Sequence, residues 1–151
     1  MALEFSQIPS ALLIERGTGP EDRPDIHAAA RPMGRWFGDE TLKARVTVRG
    51  AVAVIEVRGS AEGEAVATLN SALDLACACE CPTVAVVLRH VTWVDSEGFG
   101  ALILAQKRLV EQERRLLVCG PSQPVREALR LTRLDVLLPV VRSLRDLNGP
   151  T

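Results

Sequence analysis

Residues 83–100, TVAVVLRHVTWVDSEGFG, join the most apolar strand candidate of the chain to its best helix candidate. The first six, TVAVVL, form an unbroken apolar run rich in β-branched residues, which is typical of a strand buried on both faces. We therefore predict a strand over residues 83–88, a connector over residues 89–94 and a helix from the turn to about residue 112. Apolar residues beyond the turn recur at helical spacing and define one face of that helix: Phe99, Leu102, Ile103, Leu109 and Val110.

The turn between these two elements places Asp95 and Ser96 where the helix begins. Short side chains with oxygen atoms can accept hydrogen bonds there from the free backbone amides of the first turn. Those amides and the helix dipole also favour negative charge, so a hydroxyl at this position is a candidate carrier of a phosphate. The residues alone leave two interpretations open: the pair only caps the helix, or Ser96 is also modified.

The composition indicates one globular domain. A chain of 151 residues can bury a core but is too short for two full domains. Its 18 basic and 19 acidic residues give a net charge near −1, which disfavours binding to nucleic acid or to an acidic membrane surface. We expect a non-catalytic protein without a cofactor.

The cysteines do not indicate a metal site. Three lie in the CACEC run of residues 77–81, which lacks the spacing of structural zinc sites, and the fourth is Cys119. The two histidines, His27 and His90, are far apart in sequence. The apolar patch at residues 11–14 is too short for a secretion signal or a membrane span, so we expect a cytoplasmic protein with reduced thiols.

Residues 1–42 differ from the rest of the chain, since they contain four prolines and no sustained periodicity. We predict an N-terminal extension that is partly disordered or docks on a partner, followed by the folded domain over residues 43–148. The apolar residues of the extension form two groups, the second of which leaves a homodimer contact as an open alternative: Ile8, Leu12 and Leu13, then Met33, Trp36 and Phe37.

The remaining elements alternate strands with helices. Strict alternation from Ala44 predicts a half-exposed strand, and the link Arg49–Gly50 joins it in a hairpin to a second strand over residues 51–57, which Gly59 and Ser60 end. The other predicted elements are a helix over residues 64–79, a strand over 116–119, a helix capped by Ser122, a last strand over 135–141 placed at an edge by Pro139, and a helical turn over 143–147.

This order of elements and the turn resemble the STAS domain, the fold of bacterial anti-sigma-factor antagonists. The resemblance covers residues 44–147 and implies an α/β fold, a mixed and mostly parallel sheet of four to five strands with helices packed against it. The matching motif consists of Trp93, Asp95, Ser96, Gly98, Phe99 and Gly100.

The resemblance also implies a function. In antagonists of this type, a partner that is both an anti-sigma factor and a serine kinase phosphorylates the serine after the motif aspartate, which is Ser96 here. A phosphatase is a further implied partner. The chain departs from the family at Glu97 and at Ser60, where a small hydroxyl residue and an acidic residue are common. The implied partner-binding residues are Asp95, Ser96, Glu97, Gly98, Phe99, Gly59, Ser60 and Glu62.

Other functions of the same fold stay open at this stage. They are a constitutive scaffold, a subunit of a signalling assembly or of a lipid-transport ABC complex, and a nucleotide-binding module. Catalysis is disfavoured because Ser96, His90 and Asp95 lack the GxSxG turn of serine hydrolases. A phosphate-binding P-loop is disfavoured because its lysine is missing.

Overall fold

Six strands form one mixed sheet in the computed structural model, which describes residues 33–148. They lie side by side in chain order; the second strand is antiparallel to the first and the third, and the third to the sixth are parallel. The predicted mixed, mostly parallel sheet is confirmed, with six strands instead of four to five. The strands are β1 (Phe37–Gly38), β2 (Leu42–Arg49), β3 (Val52–Ala61), β4 (Thr83–Val94), β5 (Arg115–Cys119) and β6 (Val140–Val141).

Three α-helices connect the parallel strands and share one core with the sheet. They are α1 (Val66–Ala78), α2 (Ser96–Glu111) and α3 (Gln123–Leu131), and short 3-10 turns occupy Gly63–Ala65, Leu134–Val136 and Leu144–Asn148. Alternate residues of β3 and β4 point into this core, as the period of a strand requires. The core-facing residues of β3 are Ala53, Ile55 and Val57, and those of β4 are Val84, Val86 and Leu88.

Strand β4 is twice as long as predicted, since residues 89–94 continue the strand. The prediction of a connector was wrong because β3 also continues, to Ala61, and its backbone pairs Ser60 with Trp93 and Ala61 with Val94. Two register shifts accompany this pairing, one between Glu56 and Arg58 and one between Gly59 and Ser60, and at each of them β4 contains an extra residue. Such irregularities break the two-residue alternation on which the prediction depended.

Gly59 and Ser60 lie inside β3 and do not end it, contrary to the prediction. Gly59 has a φ of 115°, and a Cβ atom built on it would lie 2.1 Å from the carbonyl oxygen of Thr41. Only glycine fits this close approach, and the Ser60 amide donates a hydrogen bond to the same oxygen at 2.9 Å. The fold itself therefore requires Gly59.

The C-terminal part differs from the prediction in two places. The last strand is only Val140–Val141 at the sheet edge, because residues Leu134–Val136 form a 3-10 turn and Pro139 precedes the strand. Ser122 does occupy the N-cap position of α3, yet its hydroxyl does not cap the helix. That hydroxyl instead donates a hydrogen bond to the Val91 carbonyl oxygen at 2.5 Å, which ties α3 to the extended half of β4.

The sheet begins inside the segment that the sequence assigns to the extension. Phe37 and Gly38 pair with Ala44 and Lys43 of β2, and Phe37 packs against the core. The apolar residues Ile8, Leu12 and Leu13 lie outside the described residues.

Arg114 satisfies backbone carbonyl oxygens in the CACEC segment, where α1 ends. Its guanidinium donates hydrogen bonds to the carbonyl oxygens of Cys77 at 3.1 Å, Cys79 at 2.5 Å and Cys81 at 2.8 Å. All four cysteines are free thiols, and burial raises the pKa of the Cys77 thiol. No helix within residues 33–148 is long and apolar enough to cross a membrane.

Candidate functional site

Asp95 is the N-cap of α2, as the sequence predicts. Its backbone is extended, with φ −87° and ψ −177°, and its Oδ1 accepts a hydrogen bond from the Gly98 amide at 2.8 Å. The Asp95 carbonyl oxygen accepts the first intrahelical hydrogen bond, from the Phe99 amide at 3.0 Å. The carboxylate thus satisfies one of the amides that a helix start leaves free.

The second carboxylate oxygen of Asp95 connects the helix start to the loop after β3. Oδ2 accepts a hydrogen bond from the Gly63 amide at 2.9 Å, and the Asp95 amide donates to the Ala61 carbonyl oxygen at 3.0 Å. One residue therefore joins two segments that are more than thirty positions apart in sequence. This bridge holds Ser96 beside the loop that contains Glu62.

These hydrogen bonds keep Asp95 ionised. The amide of Gly63 contributes most and the amide of Gly98 next, and together they hold the pKa of the carboxyl below its usual range. The Asp95 carboxylate therefore already balances the partial positive charge of the helix dipole at the start of α2.

Ser96 and Glu97 are exposed in the first turn of α2. The Ser96 hydroxyl makes no hydrogen bond to any residue in the part of the chain that the structure describes. Because Asp95 already accepts from the Gly98 amide, Ser96 is not needed as a cap. Its hydroxyl is free to meet an incoming molecule.

The end of β3 contributes Ser60, and the loop after it contributes Glu62. The Ser60 hydroxyl donates a hydrogen bond to Glu62 Oε2 at 2.6 Å, so this serine has a partner that Ser96 lacks. Gly59 lies one residue further back, where its backbone packs against Thr41.

Gly98 and Phe99 are buried in the first turn of α2. The Phe99 side chain is only 6% exposed and belongs to the core. A Cβ atom at Gly98 would lie 2.7 Å from Val94 Cγ1 and 3.0 Å from the Ala61 carbonyl oxygen. Helix packing accounts for both residues, and their part in partner binding stays a prediction.

Sequence reasoning missed two parts of this surface. Trp93 is 46% exposed and lies opposite Ser60 in the paired strands, although it was noted only as a motif residue. The Gly63 amide was missed as a donor, since no local pattern pairs it with Asp95.

The resulting surface, which we call the Ser96 rim, is acidic. Segments 59–65 and 92–99 contain no lysine or arginine. No group of His, Cys, Asp and Glu side chains within residues 33–148 could hold a metal ion. The exposed or partly exposed members of the rim are Ser60, Glu62, Glu64, Trp93, Asp95, Ser96 and Glu97.

A mixed sheet with helices packed on it, and an exposed serine after a capping aspartate, define an α/β domain of the STAS type. The family model described as "Mlab, STAS domain" matches residues 44–140. The chain therefore belongs to the STAS domain family. No curated protein matches the chain significantly.

Solved structures share this fold at low sequence identity. An anti-sigma factor antagonist from Mycobacterium paratuberculosis is 22% identical with a TM-score of 0.65; the match covers 73% of this chain and 94% of that one. The anti-sigma factor antagonist SpoIIAA in its unphosphorylated form is 18% identical with a TM-score of 0.55, over 72% and 98%. The Bacillus cell fate determinant SpoIIAA in the phosphorylated form is 17% identical with a TM-score of 0.54, over 70% and 96%.

Proposed function

We propose that this protein is an anti-sigma-factor antagonist of the cytoplasm, without catalytic activity, that is switched off by phosphorylation at Ser96. In this proposal the unmodified Ser96 rim binds an anti-sigma factor that is also a serine kinase, and a phosphatase restores the unmodified form. The observation that carries the proposal is the exposed Ser96 hydroxyl, left without a hydrogen bond in the described structure because Asp95 caps the helix.

The comparisons support this choice among the uses of the fold. Proteins of similar fold include anti-sigma factor antagonists, and one of them has been solved in an unphosphorylated and a phosphorylated form. The serine that follows the capping aspartate gives this chain a hydroxyl suited to the same kind of control.

The surroundings of Ser96 favour release of a partner after phosphorylation. A phosphate adds about −1.5 to −2 charges at neutral pH. The Gly98 amide is already bound by Asp95, and the neighbouring Glu97 is acidic, so the rim offers the phosphate no cation. The phosphate would therefore remain hydrated in the free protein.

The free energies indicate which effect prevails. The helix dipole offsets only about 0.3–1 kcal/mol of the added charge at an exposed site. A loss of about 1.4 kcal/mol already weakens binding tenfold, and removing water from a phosphate at a contact costs more than an ordinary polar group does. Phosphorylation should thus dissociate the complex.

An enzymatic role for Ser96 gains no support from the geometry. No hydrogen bond joins His90 to Ser96 or Asp95 in the described residues, and Asp95 uses both carboxylate oxygens on backbone amides. A nucleophile needs a base within hydrogen-bond reach. The proposal therefore assigns Ser96 the role of a phosphate acceptor and not of a nucleophile.

The test is phosphosite mass spectrometry of the full chain purified with its partners from its native cells. Ser96→Ala should abolish the modification, while the matched control Ser60→Ala should keep it, since the Ser60 hydroxyl is held by Glu62. The partner kinase should co-purify with the unmodified chain and leave it once Ser96 carries phosphate.

Two results would contradict the proposal. Stable partners with no phosphate on Ser96 under any growth condition would favour a constitutive scaffold or transport subunit. Phosphate on Ser60 in place of Ser96 would assign the acceptor to the end of β3.

A further inference from the structure

A second concave site lies away from the Ser96 rim. It is a cleft of about 320 Å³, and none of the residues Asp95, Ser96 and Glu97 lines it. The side chains that matter for its chemistry are Trp36, Arg58, Arg89, His90 and Arg145. Its volume is within the range of small-molecule sites.

The strand period places this cleft on the sheet face opposite the helices. Residues Ile55 and Val86 face the helical core, so their neighbours Glu56 and Val87 face the other side. Arg89 follows two positions after Val87 and shares its face. Arg58 lines the same cleft from the adjacent strand, two positions after Glu56 on the same face of β3.

The cleft concentrates arginine side chains that form no ion pair in the described part of the chain. Arg58, Arg89 and Arg145 form no ion pair within residues 33–148. The one acidic residue of the lining, Glu56, is occupied, because its Oε1 accepts from Arg45 Nε at 2.7 Å. The whole chain has a net charge near −1, so three guanidinium groups at one cleft form a local concentration of positive charge.

Trp36 forms a wall of the cleft and orders one of the guanidiniums. The Cζ atoms of Arg45 and Arg58 each lie 4.6 Å from the centroid of its ring, within the range of a cation–π contact. Arg45 is also bound to Glu56, whereas Arg58 has no carboxylate partner in the described structure. Arg58 is thus positioned by stacking and keeps its donors for another molecule.

We propose that this cleft binds a small phosphate monoester. Guanidinium groups recognise phosphate and carboxylate oxygens through paired donors. A carboxylate is planar and is satisfied by one such group, whereas three guanidiniums from β3, β4 and the C-terminal turn match a dianion with three terminal oxygens. The apolar residues Val87 and Leu144 in the lining leave contact surface for the organic part of the ligand.

The experiment is calorimetric titration of the full, unmodified chain with glycerol 3-phosphate at low ionic strength. Saturable binding of one ligand per chain is expected. Trp93→Phe leaves Trp36 as the sole tryptophan, since the chain contains only these two, and its fluorescence should change over the same concentrations.

Matched arginine variants locate the binding. Arg89→Gln should weaken it about tenfold or more, and Arg89→Lys should recover part of the loss because the charge is kept. Arg49→Gln is the control: Arg49 is exposed on β2, forms no ion pair within residues 33–148 and does not line the cleft. It should leave the affinity unchanged.

Three results would overturn the proposal. The first is that binding does not saturate even at ligand concentrations above about 1 mM. The second is an equal loss of affinity in Arg49→Gln and Arg89→Gln, and the third is tighter binding of citrate than of the phosphate ester. The titration needs neither a partner nor a modification, so it stands or falls independently of Ser96.

Discussion

Gly98→Ala should destabilise the protein although alanine is the better helix former. The new Cβ atom would lie 2.7 Å from Val94 Cγ1 and 3.0 Å from the Ala61 carbonyl oxygen. Carbon atoms in contact are normally about 3.5–4.0 Å apart, so the first overlap is close to 1 Å. Val94 and Ala61 are 2% and 1% exposed and belong to paired strands, so neither can easily move away.

The opposing effects can be compared in magnitude. Overfilling a packed site costs about 1–3 kcal/mol, and replacing glycine by alanine within a helix contributes about 0.5–1 kcal/mol of stability. The overlap should prevail, with a net loss of about 1–2 kcal/mol. Gly100→Ala is the matched control, because a Cβ atom there meets nothing within 4 Å. That variant should gain about 0.5–1 kcal/mol.

Urea unfolding followed by circular dichroism at two protein concentrations measures both changes. A double-mutant cycle adds a sharper readout: Val94→Ala should cost less in the Gly98→Ala background than in the native chain, because it removes the overlapping methyl group. Equal or greater stability of Gly98→Ala relative to Gly100→Ala would refute the packing argument.

Three further substitutions have directions that follow from the structure. Asp95→Asn should lower the stability at neutral pH. The difference in stability from the native chain should shrink as the pH falls through the lowered folded pKa of Asp95. Urea unfolding at several pH values measures this difference, and a pH-independent difference contradicts the prediction. Arg114→Met should cost about 2–3 kcal/mol in the same assay because three carbonyls lose a charged donor, whereas Arg130→Met, which breaks an exposed ion pair, should cost under about 1 kcal/mol. Arg133 has a φ of 63°, so Arg133→Gly should raise the thermal midpoint of unfolding. Relief of about 1–2 kcal/mol of backbone strain exceeds the cost of about 0.5–1 kcal/mol for the added flexibility of glycine. A lower midpoint for Arg133→Gly than for Arg133→Ala would contradict this.

The sequence predicted the elements whose patterns are local. The helical face of α1 is buried where the spacing places it, at Leu69, Leu73 and Ala76. In β2, Ala44 and Val46 alternate into the core as predicted. The local spacing of these residues is enough to predict their burial, because an element with one buried side repeats its apolar residues at the period of that element.

Pairing between distant strands could not be read in the same way. The second half of β4 contains Arg89 and His90, which resemble a connector, and its pairing with β3 shifts register twice. Backbone hydrogen bonds along the sheet do not depend on side-chain type, so this half of the strand leaves little trace in the composition. The cleft was missed for a related reason, as Trp36 and Arg145 come from opposite ends of the described chain.

The two interpretations of the turn before α2, a helix cap and a modified Ser96, are compatible. A serine that caps a helix would give its hydroxyl to the backbone, and a kinase would have to compete for it. Here Asp95 accepts from Gly98 and Gly63, so the cap is complete before Ser96 is considered. Asp95→Ala should therefore allow the Ser96 hydroxyl to bond the freed amides, and it should lower phosphate incorporation at Ser96 even in molecules that remain folded. Full incorporation in that variant, measured beside its circular dichroism spectrum, would show that the acceptor does not depend on the aspartate cap.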